Sequence, residues 1–94
     1  YVAYDPSVLC HDRQGRRDFC NPRQFPGTVT RLYRNRGPDQ GARFEDVTEK
    51  AGLGRAPGPG LGVACADFTG DGWPDVFVAN DGAPNHLWVN QRDG

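Results

Sequence analysis

The sequence withholds most of the signals that would assign a function quickly. Across its 94 residues no run approaches the roughly 18–20 apolar residues of a membrane span. No stretch keeps a 3.6-residue apolar period over three turns, which excludes a helical bundle. The net charge is −1, so bulk electrostatics offers no case for nucleic acid or an anionic membrane. Hydrophobic residues make up only 36% of the chain. A core this thin supplies only about 3–5 kcal/mol, so a staple is expected: a disulfide, a metal or a neighbouring chain. There is no signal peptide, and residue 1 is Tyr rather than Met. That start predicts a processed chain or a fragment.

Catalytic constellations are equally scarce. The chain has 2 His, and neither Ser7 nor any Thr sits in a nucleophile motif. The expectation is that the chain is not an enzyme. Gly58-Pro59-Gly60-Leu61-Gly62 lacks the Lys-Ser/Thr and the following helix of a phosphate cradle, and reads as a loop leading into a strand. Aromatic residues do not interleave with the arginines, so single-stranded nucleic acid is not expected as a partner. Arg13, Arg16, Arg17 and Arg23 could grip an anion or an acidic protein face, or simply form a solvated loop.

What is abundant is turn chemistry, with 13 Gly and 8 Pro. Residues 1–27 read as an irregular Cys/Arg-rich segment, with room for a short strand between Tyr1 and Leu9. Beyond them the pattern predicts strands at Thr28–Arg34, Ala42–Val47, Leu61–Ala66, Asp75–Asn80 and His86–Asn90. A single turn is expected at Thr48–Gly52. The class is all-β. Charge divides along the chain, with net +3 over residues 1–55 and net −4 over residues 56–94. This suggests two jobs, two faces that meet, or plain surface charge. Cys10 and Cys20 can close a disulfide worth about 2–3 kcal/mol, which requires an oxidising compartment. The rival is a zinc site of Cys10, His11, Cys20 and His86, whose spacing matches no standard finger. Cys65 alternates with Leu61 and Val63 and is expected to be a buried, unreactive thiol. Leu32-Tyr33-Arg34-Asn35-Arg36 is echoed by Leu87-Trp88-Val89-Asn90-Gln91. The interval, with about four strands in it, is that of a propeller blade.

The sharpest motif is Asp67-Phe68-Thr69-Gly70-Asp71-Gly72-Trp73-Pro74-Asp75. Counting from Asp67, side-chain oxygens fall at positions 1, 3, 5 and 9: Asp67, Thr69, Asp71 and Asp75. Gly72 permits a sharp turn, and Trp73 can offer its carbonyl. Ca²⁺ takes six to eight oxygens, at about 2.3–2.6 Å, and alternate residues of a tight loop can supply them. The ion would also relieve repulsion among three carboxylates, coupling binding to folding. Mg²⁺ is disfavoured because it keeps its waters. An EF-hand is excluded, since Val78 stands where a bidentate Glu is needed and a strand follows. The alternative is an Asp/Gly-rich hairpin turn without metal.

From Gly62 through this loop to Asn80 the chain resembles an FG-GAP/VCBS repeat. The stretch Leu32–Asn35 with Phe44–Leu53 is similar to the cartilage acidic protein (ASPIC/UnbV-containing) group. The resemblance covers about residues 31–94, without the C-terminal ASPIC/UnbV module. It implies roughly one blade, plus a lead-in, of an integrin-α-type β-propeller with a calcium hairpin loop. Residues 28–94 would be the repeat, stopping in mid-repeat. The implied job is a secreted, periplasmic or cell-surface calcium-binding module. It would serve protein or glycan interaction, cell adhesion or structural assembly, with structural calcium. Other copies or further blades would complete the propeller, which typically needs four to eight. Trp73 and Trp88 would pack the blade. The alternative is an accessory subunit of a larger extracytoplasmic complex, docking through the Arg-rich segment. An enzyme domain would need catalytic groups from a partner chain and an open metal position.

Overall fold

The computed structural model describes residues 1–93, with only the backbone of Gln40. Seven short strands and three single-turn 3₁₀ helices are present among them, and no α-helix. The strands are β1 Cys10–His11, β2 Arg17–Asp18, β3 Tyr33–Asn35, β4 Phe44–Asp46, β5 Gly60–Ala66, β6 Asp75–Asn80 and β7 His86–Trp88. They form three antiparallel sheets: β1-β2, β3-β4 and β5-β6-β7. The all-β expectation holds.

The segment expected to be irregular contains the β1–β2 hairpin. Its turn is built by one carboxylate. Asp12 accepts from the amides of Gln14 and Arg16 at 2.8 and 2.9 Å and from Arg16 Nε at 2.8 Å. Gly15, at φ 78°, takes the left-handed position the turn requires. A disulfide joins Cys10 to Cys20 and pins the hairpin at its base. The pairing rules out the zinc alternative, since disulfide sulfurs cannot serve as thiolate ligands.

Two strand expectations need correction. Residues 1–9 hold no strand, only a bridge between Val2 and Gly27. The strand expected from Thr28 begins only at Tyr33. The reason is that Thr28 is diverted to a bridge with Gly58, while the amide of Leu32 donates to the Thr48 hydroxyl at 2.9 Å. The chain thus crosses from one sheet to the next instead of running along either. Thr48–Gly52 is a turn as expected, followed by a 3₁₀ turn at Leu53–Arg55.

Among the described residues, Phe25, Val47, Leu53 and Val78 are the buried apolar side chains. The radius of gyration is 17.3 Å, where a compact domain of this length has about 12 Å. The protein is therefore an elongated row of small sheets, and much apolar surface stays open. Leu61 is 67% and Val63 68% exposed on β5, an edge strand of its sheet. Cys65 is exposed, correcting the expectation of burial. Its register places it opposite Val76, next to the Val63–Val78 pair, on the edge strand β5, whose own side chains stay exposed although Val78 of the neighbouring strand is buried.

Two outcomes follow from this packing. Gly27 lies so close to Gly58 that a Cβ would sit 2.7 Å from its backbone, whereas at Gly62 the nearest atom is 4.0 Å away. Gly27→Ala should cost about 1–3 kcal/mol in urea unfolding and Gly62→Ala far less; equal effects would contradict the close approach. Acid should weaken the β3–β4 region. The Thr48 hydroxyl, then its amide and the Arg31 guanidinium, hold the Asp46 carboxyl below its ordinary value. A depressed folded value gives stability that is complete above about pH 4 and lost as pH falls through the folded value. Asp46→Asn should flatten that acid limb in a pH series of melts; an unchanged limb would assign it to other carboxylates.

Candidate metal centre

The nine-residue motif forms the connection between β5 and β6, closed by the Ala66–Asp75 pair. Two glycines turn it. Gly70 at φ 76° and Gly72 at φ 84° are in the left-handed region. A Cβ on either would meet nothing within 4 Å, so backbone conformation and not crowding demands glycine there. Phe68 folds back onto Phe77 of β6, ring centroids 6.3 Å apart, which anchors the loop to the sheet.

Two carboxylates organise the loop from inside. Asp67 Oδ1 accepts from the amides of Gly70 and Asp71 at 2.7 and 3.0 Å, and Oδ2 from Gly72 at 2.7 Å. These bonds, that from Gly72 above all, hold its carboxyl below the ordinary value against the opposing effect of desolvation. Asp75 is 1% exposed. Its Oδ2 accepts from the amides of Phe68 and Thr69 at 3.1 and 3.2 Å and from the Thr69 hydroxyl at 3.2 Å. Its Oδ1 accepts from the Asn90 amide at 2.9 Å.

The remaining expected residues are more loosely held. Asp71 Oδ1 caps its own turn by accepting from the Trp73 amide at 2.9 Å, and Oδ2 stands 3.8 Å from Arg92 Nε. That ion pair is solvated and contributes little. The Trp73 side chain is half exposed. Thr69 and Asp75 are in contact, and Asp67 encloses the amides of positions 4 to 6. The acids are not drawn into one cluster. Among the described residues no group of three or more His, Cys, Asp or Glu side chains is assembled to hold a metal ion.

The donor chemistry nonetheless fits a hard cation. Carboxylate, hydroxyl and carbonyl oxygens line the turn without nitrogen or sulfur. Asp67 Oδ2, Asp71 Oδ1 and Asp75 Oδ1 each accept one hydrogen bond, so each keeps a lone pair for an ion.

Asn90 and Arg92 escaped the motif reading, although the echo carried a signal for Asn90. Asn35 Oδ1 accepts from the Gly37 amide, and Asn90 Oδ1 from the Arg92 amide, both at 2.9 Å. Both Asn residues make the same side-chain-capped turn at the end of their segments. Asn90 also donates from Nδ2 to the Pro74 carbonyl at 3.3 Å, so the turn after β7 is fastened to the loop.

The family model of the FG-GAP-like repeat matches residues 12–78. The chain belongs to the FG-GAP-like repeat family. The match takes in the whole Asp67–Asp75 loop and runs back into the disulfide-closed hairpin. No curated protein and no solved structure is significantly similar to the chain.

The repeat's loop should depend more on Asp75 than on any other acid. Asp75→Ala strips acceptors from three backbone amides, each costing about 1–3 kcal/mol when left unsatisfied. Urea unfolding should show a loss of at least about 2 kcal/mol, well beyond that of Asp71→Ala in EGTA. Equal losses would contradict the placement of Asp75 at the centre of the hydrogen bonding.

Proposed function

We propose that this FG-GAP-like repeat is a calcium-stabilised, propeller-type interaction module that works outside the cytoplasm. The observation that carries the reading is the β5–β6 loop: oxygens at alternate positions, two left-handed glycines, and an Asp67 carboxylate wrapped by three amides. Asp67, Thr69, Asp71 and Asp75 would hold the ion by side-chain oxygens, and Trp73 by its carbonyl. Its role is structural: binding would draw the loop's acids together and offset their repulsion, coupling the ion to the folded turn. No step of chemistry is assigned to it, and the module is not an enzyme.

The Cys10–Cys20 bond supports an oxidising compartment, whether secreted, periplasmic or at the cell surface. Among the described residues no helix is long and apolar enough to cross a membrane. Open sheet faces support assembly with further blades or other copies, and with a protein or glycan partner, as in cell adhesion. Within the family, Leu32–Asn35 and Phe44–Leu53 favour the cartilage acidic protein (ASPIC/UnbV-containing) grouping. The reading as an accessory subunit has one specific observation in its favour. The Arg-rich segment is a pinned hairpin, not a loose loop.

Calcium should raise the melting temperature by on the order of 10 °C at saturating concentration, with magnesium giving little and EGTA abolishing the gain. Asp71→Ala should erase the response. A folded chain that ignores calcium would reduce the loop to an Asp/Gly turn.

A further inference from the structure

The sequence echo places Leu32 against Leu87, Tyr33 against Trp88, Arg34 against Val89 and Asn35 against Asn90. One step earlier, Arg31 corresponds to His86. The first copy holds a partner strand. β3 pairs with β4, with Tyr33 opposite Asp46, Arg34 opposite Glu45 and Asn35 opposite Phe44. The second copy is one strand short. Among the described residues β7 pairs with β6 alone, and its other edge is open.

That edge has the phase that β3 offers to β4. Along a strand, the backbone groups of successive residues point to alternate sides. The Leu32 carbonyl accepts from the Val47 amide, and the Arg36 amide donates to the Arg43 carbonyl, both at 2.9 Å. Leu32, Arg34 and Arg36 therefore face β4. In the second copy the Asn90 amide turns inward, donating at 2.9 Å to Asp75 Oδ1 at the start of β6. By the same alternation Leu87 and Val89, the counterparts of Leu32 and Arg34, face the open edge. The Val89 carbonyl accepts there from the Gln91 side chain, at 3.2 Å.

The side chains extend the match. Residues directly opposite in an antiparallel pair share a face of the sheet. Beside β3, Arg31 Nη1 donates to Asp46 Oδ2 at 2.9 Å. Its counterpart His86 stands on one face with Trp88, ring centroids 5.7 Å apart. His86 Nδ1 and Trp88 Nε1 are buried with no hydrogen-bond partner among the described residues. A strand paired as β4 is would put an Asp opposite Trp88. Its carboxylate would lie on the face that carries both ring nitrogens, and an indole N–H needs an acceptor.

We propose that the open edge of β7 takes an antiparallel strand from a further repeat, in the register that β3 holds β4. Phe would stand opposite Asn90, an acid opposite Val89 and Asp opposite Trp88, with a β-branched residue donating to the Leu87 carbonyl. The proposal rests on the assembly reading above and deepens it by naming the edge, the register and the residue pattern. The existing β3–β4 pairing selects the occupant, since the first copy already holds such a strand. In a second copy of the chain β4 is engaged by its own β3 and is not the strand supplied. Main-chain hydrogen bonds would give the affinity, and the Asp and Phe positions the specificity.

The test adds a peptide with the sequence of residues 42–49 to the full ¹⁵N-labelled chain and follows it by NMR. The Leu87 and Val89 amides and the Trp88 indole N–H should shift and saturate, with a Kd below about 1 mM. A peptide N-methylated at Val47 cannot donate to Leu87 and should bind at least about tenfold more weakly. N-methylation at Asp46, whose N–H faces away, should cost less than about threefold. Asp46→Ala in the peptide should cost at least about threefold. In the chain, Val89→Pro removes an N–H that faces away from β6 and should abolish binding, with circular dichroism checking that the fold persists. Val63→Lys, on the open edge of β5, should change binding less than about twofold.

Five results overturn the proposal: no shift at about 1 mM peptide, equal binding of the two methylated peptides, shifts centred on β3 or β5, retained binding in a folded Val89→Pro chain, or the same shifts on concentrating the chain without peptide. The last would make a second copy the occupant. The titration is run in calcium and in EGTA. A missing calcium response then counts against the metal reading alone, and a β7 edge that ignores the peptide against the strand addition alone.

Discussion

The carboxylate of Asp75 is the constraint around which the three-stranded sheet is arranged. It stands at the start of β6, almost wholly out of solvent, where an unpaired charge would be costly. Four donors answer it: two amides and a hydroxyl from the loop behind it, and the Asn90 amide from beyond β7. One group therefore ties the arriving loop, its own strand and the departing chain together. Asp67 plays the complementary part at the other end of the turn, gathering the three amides that follow it. The loop's shape is thus held by its own backbone amides.

The rest of the molecule is held by scattered fasteners and not by a common core. The disulfide closes one hairpin, Gly27 lies against Gly58, and Arg23 Nη2 donates to the Gly82 carbonyl at 2.8 Å. Apolar β5 residues remain open beside them. This distribution fits a repeat whose sheet faces are completed by neighbouring sheets. It also separates two surfaces by character. The acidic loop lies at one end of the β5–β6 hairpin, and the pinned, Arg-bearing hairpin carries an aromatic cleft.

Features set by local rules were legible in the sequence. β6 falls on Asp75–Asn80 as its β-branched pattern requires, and β5 differs from expectation by one residue. The loop's turn chemistry and the Cys10–Cys20 pairing were also readable. What could not be read were contacts made across the chain. The β-branched stretch from Thr28 has the composition of a strand, but Gly58 and Thr48 capture its hydrogen bonds. Cys65 has the pattern of a buried residue but stands on the open edge strand β5, beyond the cover that buries Val78. Asn90 was visible only as half of an echo, and its link to Asp75 depends on the return of β7 beside β6. Spacing alone suggested acids gathered at one point, whereas the backbone amides hold Asp67 and Asp75 apart in separate hydrogen-bond sets.

The central claim is that this loop is a cation site, and the most direct measurement is a calcium titration of the ¹⁵N-labelled chain followed by NMR. The account predicts saturable shifts at a one-to-one ratio, largest at the amides of residues 67–75 and carried to Asn90 through the Asp75 carboxylate. Magnesium should leave those signals nearly unmoved. Shifts spread over surface acids without saturation, or none within the loop, would contradict it.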